Sequence, residues 1–289
     1  MNDFKIHVIG ASGRSGIALA AKLGQRLIPI VRDNAKWRAT GFDITARVAD
    51  LTEPGRLSMA LRDATHIVSC AHARHAPQVI AAAPSDARLI FLGSTRKFTR
   101  WPDEHGLGVL AGEAAFLNSG RGGVMLHPTM IYGARGEDNV QRLANLIRRM
   151  PILPLPAGGQ SLVQPIHQDD VTRAILAALA YPWTRPETLV IAGPEPMPYR
   201  AFILAIALAA GTRPPWFVNL PAYVMIAAAT LTHVIPGLPT IGPKEVRRLL
   251  ENKAFDITPM RETLKITPID LATGLALTFP PAHESRLIA

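Results

Sequence analysis

Cysteine is almost missing from this sequence. Cys70 stands alone among 289 residues, which excludes an internal disulfide framework and fits a reducing compartment. Long basic runs are missing too. The densest positive groups are pairs such as Arg148-Arg149 and Arg247-Arg248, so a formal charge of +9 does not make nucleic acid an expected partner. That balance favours a phosphorylated cofactor or an acidic lipid surface. The most hydrophobic helical stretch, Ala222 to Val234, is too short to span a bilayer; Pro221 opens it and Pro236 closes the region. The N-terminus, MNDFKIHVIG, runs straight into a strand with no leader-like charged and apolar regions, and a cytoplasmic location is expected. Tyrosine does not occur between Met1 and Ile131.

What is present is a rhythm. With 48% hydrophobic residues the chain can bury a large core. Short apolar runs alternate with helical segments through the first half. Strands are expected at Phe4 to Ile9, Leu27 to Val31 (weakened by Pro29), Ala46 to Val48, His66 to Ser69, Leu89 to Leu92 and Val124 to Leu126. Helical patterns separate them. This predicts an α/β fold: a doubly wound parallel sheet of Rossmann type with a small C-terminal substrate lobe. Residues 1–150 are read as the dinucleotide-binding domain. Residues 151–289 are read as the interleaved end of the sheet plus the lobe, with a strand at Thr188 to Ile191 and helices at Val171 to Ala180, Tyr199 to Ala210, Ala222 to Thr232 and Lys244 to Asn252.

The stretch HVIGASGRSG places Gly10, Gly13 and Gly16 between the first strand and the first helix. A strand feeding a helix through a tight turn aims backbone N–H groups at an anion, aided by the helix dipole. Gly10 permits the turn, Gly13 lets a pyrophosphate approach, and Gly16 lets the helix pack on the strand. Ser12, Arg14 and Ser15 complete this phosphate-binding loop. The end of the second strand, PIVRDN, then bears on the cofactor. An acidic residue there selects NAD and a basic one selects NADP. Arg32 falls at that place, with Asp33 after it; Arg14 and Lys36 are further candidates for the 2′-phosphate. NADP is favoured over NAD.

GASGRSG resembles the fingerprint of the extended and atypical short-chain dehydrogenases/reductases. VADL, HPTMIYG, QPIHQDDVTRAILAAL and LVIAGPEPMPYRAFILAIALAAG resemble later elements of that superfamily, in family order and over nearly the whole chain. The likeness extends to its epimerase/dehydratase, NmrA-like and complex I accessory-subunit branches. It implies that Asp50 lies near the adenine ring, with Leu51 and Ala71 also on the cofactor, and that Ser94 lies near the nicotinamide.

The resemblance also implies a Tyr and a Lys four residues apart on the helix after Ser94, the proton donor and its partner. Here His105 takes the Tyr place and Val109 the Lys place when Glu113 is matched to the family's acidic residue. Alternative proton donors are Lys97 and Tyr132. Three readings stay open: an atypical oxidoreductase acting on a small carbonyl-type, apolar molecule; a non-catalytic NADP(H)-binding structural or sensor subunit, touching a respiratory complex or membrane; and a nucleotide-sugar epimerase or dehydratase. His72 and His75 are read as loop histidines, with no metal site expected. His127 replaces the family's Arg before Pro128. Asp169 or Asp170 is expected to cap a helix. The region from Trp216 is read as lobe core, pocket roof or membrane-surface helix.

Overall fold

The computed structural model describes residues 5–133, 139–231 and 242–280. The expected strand start at Phe4 and the stretch Thr232 to Pro236 lie outside them. The strands β1 (Ile6–Ile9), β2 (Leu27–Val31), β3 (Arg47–Val48), β4 (His66–Ser69), β5 (Arg88–Leu92) and β6 (Gly123–Pro128) join strand Pro186–Ile191 in one sheet. Its order is Pro186–Ile191, β6, β5, β4, β1, β2, β3, and all pairings are parallel. The helices are α1 (Arg14–Leu23), α2 (Asn34–Arg38), α3 (Pro54–Leu61), α4 (Ala76–Ala82), α5 (Glu104–Asn118), α6 (Asn139–Arg149), α7 (Gln168–Ala180), α8 (Tyr199–Ala209), α9 (Ala222–Leu231), α10 (Pro243–Arg248), α11 (Thr258–Leu264) and α12 (Leu271–Thr278). No helix among the described residues is long and apolar enough to cross a membrane.

A two-residue period sends alternate side chains to the two faces of each strand. In β5, Ile90 and Leu92 pack with Leu19 of α1 and Val171 of α7, while Leu89 and Phe91 pack with Leu57 of α3, Val79 of α4 and Phe116 of α5. Helices therefore cover both faces, and β1 and β6 are buried throughout. Pro29 does not interrupt β2, because β3 pairs only with Ile30 and Val31. A third core, built from Tyr132, Val140, Ile147, Phe202 and Leu275, forms the lobe. Helix α6 belongs to this core and packs on α8, so the division at residue 150 does not follow the packing. Its apolar stripe is what commits it there.

Helix α7 starts differently from expectation. His167, not an aspartate, caps it, its ring Nδ1 accepting from the Asp169 amide at 3.2 Å. Asp170 is fully buried and accepts from the Ile269 amide (2.9 Å) and from Arg173 (2.7 Å), tying the segment at Ile269 to α7. The helix expected from Lys244 to Asn252 is shorter, ending at Arg248.

Candidate functional site

In a parallel sheet the strand order reverses where chain crossovers go opposite ways, and ligands collect at that point beyond the carboxyl ends. Here the reversal lies between β1 and β4. Gly10 follows β1 with φ +75°, a left-handed conformation that glycine adopts without strain. The Gly13 amide donates to the Gly10 carbonyl at 2.9 Å and closes the turn. Helix α1 then leaves against it: a Cβ on Gly16 would stand 2.3 Å from the Gly10 carbonyl oxygen and 2.7 Å from the Ala11 Cα. No side chain caps α1, and its first turn has no acidic residue. Its leading amides therefore face the loop with no carboxylate competing for them.

A crevice of about 440 Å³ opens here, lined by Gly10, Ser12 and Gly13 from the loop. Arg32 and Lys36 line it after β2, and Asp50 and Leu51 after β3. Cys70, Ala71, His72 and His75 line it after β4. The structure thus gathers the residues expected on the adenosine half. Of the others, Gly16 supports the loop from behind, and Ser15 turns to Gln168, with its hydroxyl 3.4 Å from the side-chain oxygen. Arg14, Ser15, Gly16 and Ser94 are not among the lining residues.

Charge at the crevice lip is arranged by a helix cap. Asp33 accepts from the Ala35 amide (2.9 Å) and the Lys36 amide (3.2 Å), so its carboxylate is held at the N-terminus of α2. The guanidinium of Arg32 and the ammonium of Lys36 are exposed and make no hydrogen bond or ion pair among the described residues. Across the crevice, hydrogen bonds from the Thr52 amide and hydroxyl (2.8 and 2.7 Å) hold the Asp50 carboxyl below the usual range. Burial pushes the Cys70 thiol up to about 12.

Helix α5 brings the second half of the site. It lies close against the turn after β4, since a Cβ on Gly112 would meet the Ala73 carbonyl oxygen at 1.9 Å. That approach sets His105 against His72, ring edge to face at 4.3 Å between centroids. Burial, then the neighbouring His105 and Arg74, lower His72 to about 4, and burial with Arg96 lowers His105. Both rings are neutral at pH 7. No group of three or more metal-ligating side chains occurs among the described residues.

Behind Ser94 lies a cluster that sequence reasoning did not assemble. His127 accepts the Ser94 backbone N–H at its Nδ1 (3.2 Å), so its proton sits on Nε2, 2.5 Å from a Glu113 carboxylate oxygen. The Lys97 ammonium donates to that same oxygen. Side-chain exposure is 1% for His127, 9% for Lys97 and 15% for Glu113. Burial pushes the Glu113 carboxyl up, but hydrogen bonds from His127 and Lys97 outweigh it and hold it at about 2. Lys97 is therefore committed to this ion pair and is withdrawn from the role of proton donor. Tyr132 is withdrawn as well: it is 1% exposed in the lobe core, where its hydroxyl would lie 2.1 Å from a Cβ on Gly274, and burial raises its pKa far above neutrality. The signals for the cluster were in the chain: one carboxylate inside the apolar run LGVLAGEAAF, and one imidazole inside β6.

No protein-family profile and no curated protein matches this chain. Solved structures do. The NADPH-dependent quinone oxidoreductase of Escherichia coli, solved with NADPH, is 18% identical over 94% of this chain and 98% of its own, with a TM-score of 0.72. The UDP-glucuronic acid 4-epimerase of Bacillus cereus, solved with UDP-glucuronic acid and NAD, is 16% identical over 96% and 98%, at 0.71. A nucleoside-diphosphate-sugar epimerase of Staphylococcus aureus is 16% identical over 94% and 99%, at 0.71. At such identities the likeness shows the fold alone: a parallel sheet with helices on both faces and a lobe beyond it.

Proposed function

We propose that this chain binds NADP(H) in the crevice and reduces or oxidises a small carbonyl compound. One observation carries the cofactor choice: at the end of β2 the acidic residue is engaged in capping α2, and two unpaired cations remain at the lip. An acid free to take both ribose hydroxyls would favour NAD; Arg32 with Lys36 favours a 2′-phosphate. A structural neighbour solved with NADPH supports the reading, and neighbours solved with NAD make the comparison worth measuring.

In this reading the amides of α1 receive the diphosphate, and Asp50, Leu51 and Ala71 surround the adenine. Ser94 lies toward the reacting carbon, its amide fixed by His127. When bound, the nicotinamide supplies or accepts hydride. His105, neutral at pH 7, accepts a hydroxyl proton in the oxidative direction; in the reductive direction it must first be protonated, so reduction is faster on the acid side. We expect His105→Phe to lower kcat about 100-fold with cofactor affinity unchanged. Unaltered turnover would remove His105 from the mechanism.

The test of the cofactor choice is a pair of calorimetric titrations. Wild type should bind NADPH more tightly than NADH. Arg32→Ala should weaken NADPH by roughly 30-fold, the loss of about 2 kcal/mol of charge-assisted hydrogen bonding, and leave NADH within about twofold. Equal affinities untouched by the substitution would overturn the assignment.

A second reading rests on Val109. It is buried with Phe91 and Phe116 at the place where the resemblance calls for the ribose-binding ammonium. A non-catalytic NADP(H)-binding subunit follows if NADPH binds tightly and a carbonyl panel produces no change in its absorbance. The epimerase reading has neighbours among the solved structures, but the tyrosine that it calls for as base is replaced here by His105.

A further inference from the structure

The lobe turns an apolar face outward. Strand Trp216–Leu220 pairs in parallel with strand Ile152–Pro156, Trp216 opposite Ile152. Alternation along this ribbon sends Leu153 and Leu155 into the lobe core. The outward positions should then be polar. They are Ile152, Trp216 and Val218, and Trp216 is 79% exposed. Helix α9 follows directly and contacts the ribbon; its sequence AYVMIAAATL has no charged residue, and Tyr223 is 75% exposed. At the neighbouring end of α8, Leu208 is 82% exposed.

The rim of this face along α6, α8 and the ribbon is basic, and Glu245 of α10, which packs on α9, is paired with Arg248. Arg148 donates to the Ala210 carbonyl at 3.2 Å, which sets the end of α6 beside the end of α8. The Trp216 amide donates to the Pro151 carbonyl at 2.7 Å, which brings exposed Arg149 and Arg213 to the start of the ribbon. No Asp or Glu occurs from Pro196 to Lys244, nor from Asn139 to His167.

We infer that this face seats on a bilayer containing anionic lipid. Exposed Trp and Tyr suit the headgroup boundary, where an apolar ring body and a polar edge are both satisfied. Arg148, Arg149 and Arg213 meet lipid phosphates, and the Glu245 carboxylate of α10 is already paired with Arg248. A second copy of the chain is the poorer occupant, because a two-fold contact would set these arginines against their own copies. The inference does not depend on the cofactor.

Flotation of the full-length protein with vesicles tests it. Binding is expected to vesicles of phosphatidylcholine with about one-third phosphatidylglycerol, weakly to phosphatidylcholine alone, and to fade at about 0.5 M salt. Reversing Arg148, Arg149 and Arg213 to Glu should weaken binding about 100-fold, and Trp216→Ser with Tyr223→Ser at least about tenfold. These side chains are exposed, so the fold should persist, and unchanged circular dichroism confirms it. Brominated lipid should quench wild-type fluorescence more than that of Trp216→Phe. The inference is overturned if anionic vesicles fail to float the protein at low salt, or if the variants bind as wild type. It is overturned equally if sedimentation shows a dimer that Trp216→Ser abolishes.

Discussion

Gly16→Ala is expected to abolish measurable dinucleotide binding and to lower stability by about 2–3 kcal/mol. The added methyl would stand 2.3 Å from the Gly10 carbonyl oxygen and 2.7 Å from both the Cα and the carbonyl oxygen of Ala11. All three are backbone atoms of the same tight turn. They cannot yield as the end of a flexible side chain would, so the helix must move off the loop. The amides of its first turn move with it, and an anion site made of backbone donors has no side chain to follow the ligand. A loss of at least about 100-fold in NADPH affinity is expected, equivalent to about 2.7 kcal/mol. Gly55→Ala is the control, since nothing lies within 4 Å of a Cβ there. Calorimetry and urea unfolding measure both effects. Wild-type affinity in Gly16→Ala would mean that α1 does not approach the loop this closely.

The second large effect lies at Glu113. Glu113→Ala is expected to cost about 3 kcal/mol, because it leaves the Lys97 ammonium buried without its counter-ion and the His127 N–H without an acceptor. The double variant Glu113→Leu with Lys97→Met should recover much of that loss, since removing both charges removes the desolvation penalty as well. If the double variant is no more stable than the single, the pair is not the source of the effect. Acid should produce the same loss gradually. The folded carboxyl titrates at about 2 and the unfolded one near 4.5, so the contribution is complete above pH 4.5. As pH falls from about 4.5 toward 2 the unfolded chain takes up the proton first, and up to about 3 kcal/mol is lost. A Glu113→Gln protein should show a correspondingly flatter stability profile over that interval.

The His127–Glu113–Lys97 cluster anchors the loop after β5. The Ser94 amide is anchored through His127 in β6, and Ser94 itself accepts from the Arg96 amide at 3.1 Å. Conversely, the loss of a free Lys97 and of Tyr132 leaves His105 as the proton-transfer candidate beside the crevice, through its contact with His72.

Local pattern alone determined the sheet, the glycine turn and the order of elements. Each depends on contacts between residues near in sequence, or on a two-residue or helical period that a buried face enforces. Ile90 and Phe91 declare opposite faces by adjacency, and Gly10 declares a turn by its place between strand and helix. Only the tertiary structure decided which polar groups meet. Glu113 and His127 are brought together by the packing of α5 on the sheet; Asp33 is drawn into the cap of α2; Asp170 is drawn inward by Ile269, distant in the chain. A charge buried in a core is stable only with a partner, and that partner is chosen by the geometry of whole elements, which no short window of sequence contains.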